Sequence, residues 1–69
     1  MKILKNKLKG IMIYNNDTQE NLSKALGLAV ATLSYKMNGR TEFTRQEIAK
    51  IKERYNLTAE ELDDIFFND

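Results

Sequence analysis

The 69-residue sequence contains no cysteine, no histidine and no proline. Without cysteine the chain can form neither a disulfide framework nor a thiolate metal site. Without histidine, a zinc finger and histidine-based acid–base catalysis are excluded as well. We therefore expect no bound metal and no cofactor.

Long hydrophobic runs are also missing. The longest apolar stretches are only a few residues, so the sequence predicts neither a membrane-spanning segment nor a signal peptide. Apolar residues make up 42% of the chain against 30% charged residues, which is enough for a packed core. We expect one domain spanning residues 1–69 of a cytoplasmic protein with no membrane partner.

The usual signatures of an active site are absent too. The sequence contains no candidate nucleophile–base pair and no glycine-rich phosphate loop. Three glutamates that could suggest a carboxylate site, Glu47, Glu60 and Glu61, are explained by helix caps and helix N-termini. We expect no enzymatic activity and no small-molecule substrate.

The charge of the chain is unevenly distributed, although its net value is only +1. Residues 1–40 contain seven basic and two acidic residues, whereas residues 41–69 contain four basic and eight acidic residues. The two parts therefore carry +5 and −4. Such a chain can present a basic face to phosphates while staying nearly neutral overall. For any single lysine, ordinary solvated surface is the alternative.

Apolar residues recur at helical spacing in five segments, which predicts an all-α, compact five-helix bundle. The five apolar stripes are Leu4, Leu8, Ile11 and Met12; Leu22, Ala25 and Leu26; Leu33 and Met37; Ile48, Ile51 and Tyr55; and Leu62, Ile65 and Phe66.

Polar residues and glycines mark where these helices begin and end. Thr18 is the predicted N-cap of the second helix, and the fourth and fifth helices open with the capping-box spacing Thr44–Glu47 and Thr58–Glu61. Gly27 and Gly39 stand where a helix end favours a left-handed residue. Ala29 replaces the usual capping residue of the third helix, which should weaken its start by about 1 kcal/mol.

The second and third helices are separated by a tight turn at residues 26–29. A break this short forces the two helices to cross steeply, which is the geometry of a helix-turn-helix. The second helix of such a unit is free to enter the major groove of DNA.

The segment resembles the helix-turn-helix of small phage repressor and Cro-like regulators. The matching positions are Gln19, Leu22, Ser23, Gly27, Leu33, Asn38, Gly39 and Arg40, extended by Phe43, the Thr44–Glu47 start and Ile48. With the flanking helices, the likeness covers roughly residues 4–67. It implies a lambda-repressor-like domain that binds double-stranded operator DNA as a homodimer and regulates transcription on the nucleoid of a bacterial host.

The resemblance also implies which residues contact base edges. The candidates on the third helix are Val30, Ala31, Thr32 and Tyr35. Well-studied members usually carry glutamine, asparagine, arginine or serine at such positions, whereas here methyl groups predominate. We expect modest base selectivity or reliance on DNA shape. Core or edge packing is the alternative for Val30, and an amphipathic surface ring for Tyr35.

Phosphate contacts are expected from two helix starts and from the loop after the third helix. The candidates are Thr18, Gln19, Lys36, Asn38, Arg40, Thr41 and Arg45. Arg40 is the strongest of them. A cation at position 45 opposes the helix dipole, and a bound phosphate would explain its presence.

The last helix ends with two adjacent aromatic residues, Phe66 and Phe67. They lie about 100° apart around the helix, so one small core is not expected to cover both rings. In the resembled family the last helix often mediates dimerisation, and we expect Phe66 and Phe67 to contact a second copy. The alternative is that the terminal turn frays or folds Phe67 back.

One other class of function stays open. The chain could be a protein-interaction module with a helix-turn-helix fold, like an anti-repressor or antitoxin, that docks through Ala29–Val30–Ala31 and binds DNA weakly or not at all. The salt dependence of DNA binding distinguishes the two, because phosphate contacts make affinity fall steeply with salt.

Overall fold

Five α-helices and their connections account for residues 5–66, the part of the chain that the computed structural model describes. In chain order they are α1 (Lys5–Tyr14), α2 (Gln19–Leu26), α3 (Val30–Met37), α4 (Arg45–Tyr55) and α5 (Ala59–Phe66). No β-strand occurs in these residues, so the predicted all-α class with five helices is confirmed. Within the same range, every helix is too short or too polar to cross a lipid bilayer.

Each of the first four helices stops at a residue with a left-handed backbone. The φ angles are 54° at Asn16, 73° at Gly27, 80° at Gly39 and 52° at Asn56. After α2, for example, Gly27 N donates to Lys24 O at 3.2 Å and Leu28 N donates to Ser23 O at 2.8 Å. This pair of hydrogen bonds is a Schellman motif, which satisfies carbonyls that the helix end leaves without partners. The left-handed conformations predicted at both glycines are confirmed.

Threonine hydroxyls cap three helix starts. Thr18, Thr44 and Thr58 each accept a hydrogen bond at 3.1 Å from the N–H three residues on. In return, the Oε1 atoms of Glu47 and Glu61 accept hydrogen bonds from the backbone N–H groups of Thr44 and Thr58, both at 2.9 Å. The predicted N-cap and both predicted capping boxes are therefore confirmed. As expected, the start of α3 has no side-chain cap at Ala29.

The core is built from the predicted apolar stripes of all five helices. α2 packs against α3 and α4, while α1 packs against α5. Of the predicted stripe residues within 5–66, Ala25 is exposed and Ile11 and Leu62 are half-buried; the others are buried. The Cα radius of gyration is 10.8 Å, close to the about 11 Å expected of a compact chain of this length. Leu4 lies outside the described residues.

Phe66 is a core residue and not an exposed dimer contact. Its side chain is 1% exposed, and its ring meets the Phe43 ring edge to face, with 5.3 Å between centroids. The reason is helical phase, because position 66 continues the stripe of Leu62 and Ile65 toward the core. This burial contradicts the prediction that Phe66 contacts a second copy. Phe67, the other predicted contact, lies outside the described residues.

Candidate nucleic-acid interface

α3 has a buried face and an exposed face. Leu33 and Met37 are buried in the core, whereas Val30 and Tyr35 are 46% and 47% exposed. Ala31 is also exposed. Core packing is therefore not the role of Val30, and three of the four predicted base-contact positions lie on the surface. Thr32, the fourth, is half-buried at the edge of this surface.

Sequence reasoning misses Ser34, which is half-buried at the edge of this exposed face. The other candidates came from the family resemblance. Helical spacing, which places positions 31, 34, 35 and 38 on one side of a helix, could have located this serine. Asn38 Nδ2 donates to Ser34 O at 2.9 Å and to Ser34 Oγ at 3.4 Å. The exposed face of α3 thus carries a hydroxyl and an amide beside the methyl groups of Val30 and Ala31.

The end of α3 folds back on the helix and places Arg40 beside Tyr35. Gly39 N donates to Lys36 O at 3.1 Å, and Arg40 N donates to Tyr35 O at 2.9 Å, which completes a Schellman motif. The Arg40 guanidinium lies over the Tyr35 ring, with Cζ 4.8 Å from the ring centroid. Thr41, the next residue, is exposed.

Lys36 points inward, which contradicts its predicted phosphate contact. Its Nζ donates to Glu47 Oε1 at 2.7 Å and to Glu42 O at 3.2 Å. The side chains of Lys36 and Glu47 are only 11% and 12% exposed. Position 36 follows Leu33 on the inner side of α3, so the side chain carries its ammonium to the carboxylate. The Nζ atom also lies 6.0 Å from the centroid of the Phe43 ring. The pair joins α3 to the start of α4.

The Glu47 carboxylate is stabilised in its charged form. Burial alone would raise the pKa of this group, but the hydrogen bonds from Lys36 and from the Thr44 N–H outweigh burial and lower it. The same Oε1 atom therefore completes the α4 capping box and holds Lys36. With Phe43 buried in the core, the connection between α3 and α4 is anchored along residues 42–47.

The start of α2 is held by a second buried carboxylate. The side chain of Asp17 is 7% exposed and accepts hydrogen bonds from Arg54 Nε at 2.8 Å and Tyr55 OH at 2.5 Å. It also accepts from the Thr18 N–H at 3.0 Å. Thr18 and Gln19, both phosphate candidates, follow directly, and Gln19 is half-buried in the first turn. Sequence reasoning does not find this cluster, because Asp17 and its two α4 partners are 37 and 38 residues apart.

In the cluster of Asp17, Arg54 and Tyr55, the negative charge of the carboxylate is balanced by the guanidinium. The hydrogen bond from Arg54, helped by those from Tyr55 and the Thr18 N–H, lowers the pKa of Asp17 from 3.8 to about 2. Burial, together with the neighbouring carboxylate, raises the pKa of the Tyr55 hydroxyl above its ordinary value. Asp17 is therefore charged at neutral pH, and Arg54 is engaged with it and not available to an external anion.

Ion pairing separates the remaining cations into two groups. Lys7, Lys36 and Arg54 each pair with a carboxylate; the Lys7–Asp64 distance is 3.4 Å. The second group is exposed and forms no ion pair within residues 5–66; it contains Lys9, Lys24, Lys50 and Lys52 and the two arginines Arg40 and Arg45. Only the two arginines are close in sequence to the α3–α4 connection. They stand near the two ends of the connection between α3 and α4. In the same part of the chain, no three acidic side chains converge on a possible metal position.

The described residues form a compact all-α domain of five helices with an exposed face on α3. Two exposed arginines that form no ion pair within residues 5–66 stand at the ends of the α3–α4 connection. Comparison with protein families then matches residues 2–69 to the family described as "Protein of unknown function (DUF739)". Since this match covers nearly the whole sequence, the chain belongs to that family. Among curated proteins, none matches the chain.

Proposed function

We propose that this protein is a sequence-specific DNA-binding regulator of transcription, of the small phage repressor or Cro-like kind. Its α2–turn–α3 unit acts as a helix-turn-helix with α3 in the major groove. The observation that carries the proposal is the α3–α4 connection. At its two ends are Arg40, which lies over the Tyr35 ring of α3, and Arg45, the first residue of α4. Both arginines are exposed and form no ion pair within residues 5–66.

The dimensions of α3 support this role. An α-helix with its side chains is about 10–12 Å in diameter, and the major groove of DNA is about 12 Å wide. Only residues 27–29 separate α2 from α3. Cations on the connection after α3 would meet the phosphates along the edge of the groove, which fixes the position of a protein on the duplex without reading sequence.

The exposed face of α3 supports a particular kind of base reading. Val30 and Ala31 offer methyl groups, which pack against thymine methyls in the major groove. Ser34 adds a hydroxyl group, but neither it nor these methyl groups can form the paired hydrogen bonds that arginine or glutamine makes with a base. The Asn38 amide donates to Ser34. We infer modest selectivity for base sequence, with a contribution from the shape and deformability of the site.

Homodimerisation on DNA is part of the proposal. Two copies on successive turns of the duplex read the two halves of a near-palindromic site. Because Phe66 is inside the core, other residues must form the dimer contact. Phe67 remains the candidate from the sequence. The protein would act in the cytoplasm, on the nucleoid of a bacterial host, without a small-molecule substrate.

Fluorescence anisotropy on labelled duplex DNA from the promoter region beside its own gene tests the proposal. The wild type and an Arg40→Ala, Arg45→Ala variant are titrated at several salt concentrations, with a scrambled duplex as competitor. A Lys9→Ala, Lys50→Ala variant is the matched control. It removes the same charge from two exposed lysines that form no ion pair within residues 5–66.

The expected result separates the two double variants. Loss of Arg40 and Arg45 should weaken binding and reduce the slope of log K against log salt by about 2, because each phosphate contact contributes about 1. The lysine control should change the affinity and the salt slope much less. Equal weakening by the two variants would mean that only net charge matters, and equal weak binding to every duplex would contradict sequence-specific recognition.

The protein-interaction module is the second candidate, and it draws on the exposure of Val30 and Tyr35. Neighbouring apolar side chains on one helix face are also what a partner protein binds. An Ala31→Glu variant tests both candidates, since position 31 is exposed and tolerates a charged side chain in the free protein. If DNA binding is real, this variant should lose at least about tenfold in affinity through repulsion by phosphates. Unchanged DNA binding would favour a protein partner.

A further inference from the structure

The contact between Arg40 and Tyr35 gives the two side chains a joint role. The Arg40 guanidinium lies 4.8 Å from the centroid of the Tyr35 ring, within the range of a cation–π interaction. The ring is 47% exposed, so the pair is part of the surface. One face of Tyr35 is therefore covered by the guanidinium and is not open to a DNA base.

The helix end builds this contact. In a Schellman motif the residue after the left-handed position commonly packs on the residue that accepts its N–H hydrogen bond. Arg40 and Tyr35 are these two residues, joined by the 2.9 Å hydrogen bond from Arg40 N to Tyr35 O. An apolar pair is usual there. Here a guanidinium lies over an aromatic ring, a contact that lysine reproduces poorly.

We propose that Tyr35 is a positioning residue, which orients the Arg40 guanidinium toward a DNA phosphate and does not itself read a base. This inference rests on the proposed function. Arg40 has no carboxylate partner within residues 5–66, so the N–H donors of its guanidinium are not taken up by an ion pair there. A stacked arginine also loses less rotamer freedom on binding phosphate than a free one.

A double-mutant cycle on labelled promoter duplex tests the proposal. Tyr35→Ala should weaken binding about two- to fivefold in the wild-type background, the strength of an exposed cation–π contact. In the Arg40→Ala background the same change should have little effect, because the group that Tyr35 orients is gone. A direct base contact by Tyr35 would instead give the same loss in both backgrounds and a change in sequence preference.

Two conservative variants sharpen the test. Tyr35→Phe keeps the ring and should retain wild-type affinity, whereas a base contact through the hydroxyl would be lost. Arg40→Lys keeps the charge and so the salt slope, but it should bind more weakly because the ammonium does not stack. Tyr14→Ala is the matched control, since this α1 tyrosine is 87% exposed and has no place in the proposed interface.

The contact is also measurable without DNA. In the free protein, the NMR signals of the Arg40 side chain should show ring-current shifts that disappear in Tyr35→Ala and persist in Tyr35→Phe. Absence of these shifts, or DNA binding with no coupling in the cycle, would overturn the positioning role alone. A wild type that binds no duplex in a salt-dependent way would overturn the proposed function and this inference with it.

Discussion

The cluster around Asp17 makes a quantitative prediction about stability and pH. The pKa of Asp17 is lowered from 3.8 to about 2 in the folded state, chiefly by the hydrogen bond from Arg54. At about 1.36 kcal/mol per pH unit, this difference corresponds to about 2.4 kcal/mol of stability at neutral pH. Because the Arg54 side chain is 36% exposed, solvent screening reduces the figure, and we expect about 1.5 kcal/mol.

The sign of the pH dependence follows from the lowered pKa. A carboxylate with a depressed folded-state pKa stabilises the fold above its unfolded pKa of 3.8, and this stabilisation is lost as pH falls through about 2. About half of it should remain near pH 3. Asp17→Asn should therefore lower stability most at pH 7, progressively less between pH 4 and pH 2, and least below pH 2.

Urea unfolding followed by circular dichroism at a series of pH values measures the difference in stability between the wild type and Asp17→Asn. At pH 7 the Asp17→Asn variant should also melt about 6–12 °C below the wild type, given the size of the domain. Asp63→Asn is the matched control, because Asp63 is exposed and forms no ion pair within residues 5–66. A loss for Asp17→Asn that is the same at pH 2 and pH 7, or no larger than that of the control, would refute the argument.

Three further substitutions test other parts of the fold by urea unfolding at pH 7. Lys36→Met should lower the free energy of unfolding by about 1–3 kcal/mol because it leaves the Glu47 carboxylate without its cation. Adding Glu47→Gln should recover part of this loss. A Lys36→Met variant as stable as the wild type would contradict the buried pair. Asn56→Gly should stabilise the fold by about 0.5–1 kcal/mol because the backbone at this position is left-handed. Asn38→Gly should give no gain in stability, because φ at this position is −87°. Equal effects of the two substitutions would argue against the backbone explanation. Ala29→Ser should supply the missing α3 cap and add about 1 kcal/mol; no change would show that the α3 start needs none.

The helix boundaries could be predicted from the sequence because each depends on residues close to it. Thr44 and Glu47 satisfy one another three residues apart, and Gly27 ends α2 by its own backbone conformation. The apolar stripes were predictable for a similar reason, since helical phase determines which face is buried. Ala25 is the exception, because the edge of a stripe is buried only if a neighbouring helix covers it.

Contacts between distant segments could not be predicted in this way. Lys36 is a basic residue next to a predicted DNA-facing surface, and only the position of α4 shows that its ammonium reaches Glu47. The pairing of Asp17 with Arg54 likewise depends on how the end of α4 meets the start of α2. The contact of Arg40 with Tyr35 is local and could have been predicted from the sequence, because the Schellman geometry implied by Gly39 brings these two residues together.

The left-handed endings of α1 to α4 have a consequence for how the chain folds. Each helix carries its own stop, formed by hydrogen bonds within six residues of chain, so the direction of the next segment is set before distant parts of the core meet. Helical domains with mostly local contacts have low contact order and fold in microseconds to milliseconds. We expect this protein to fold on that timescale in a single phase without slow proline isomerisation, since it contains no proline.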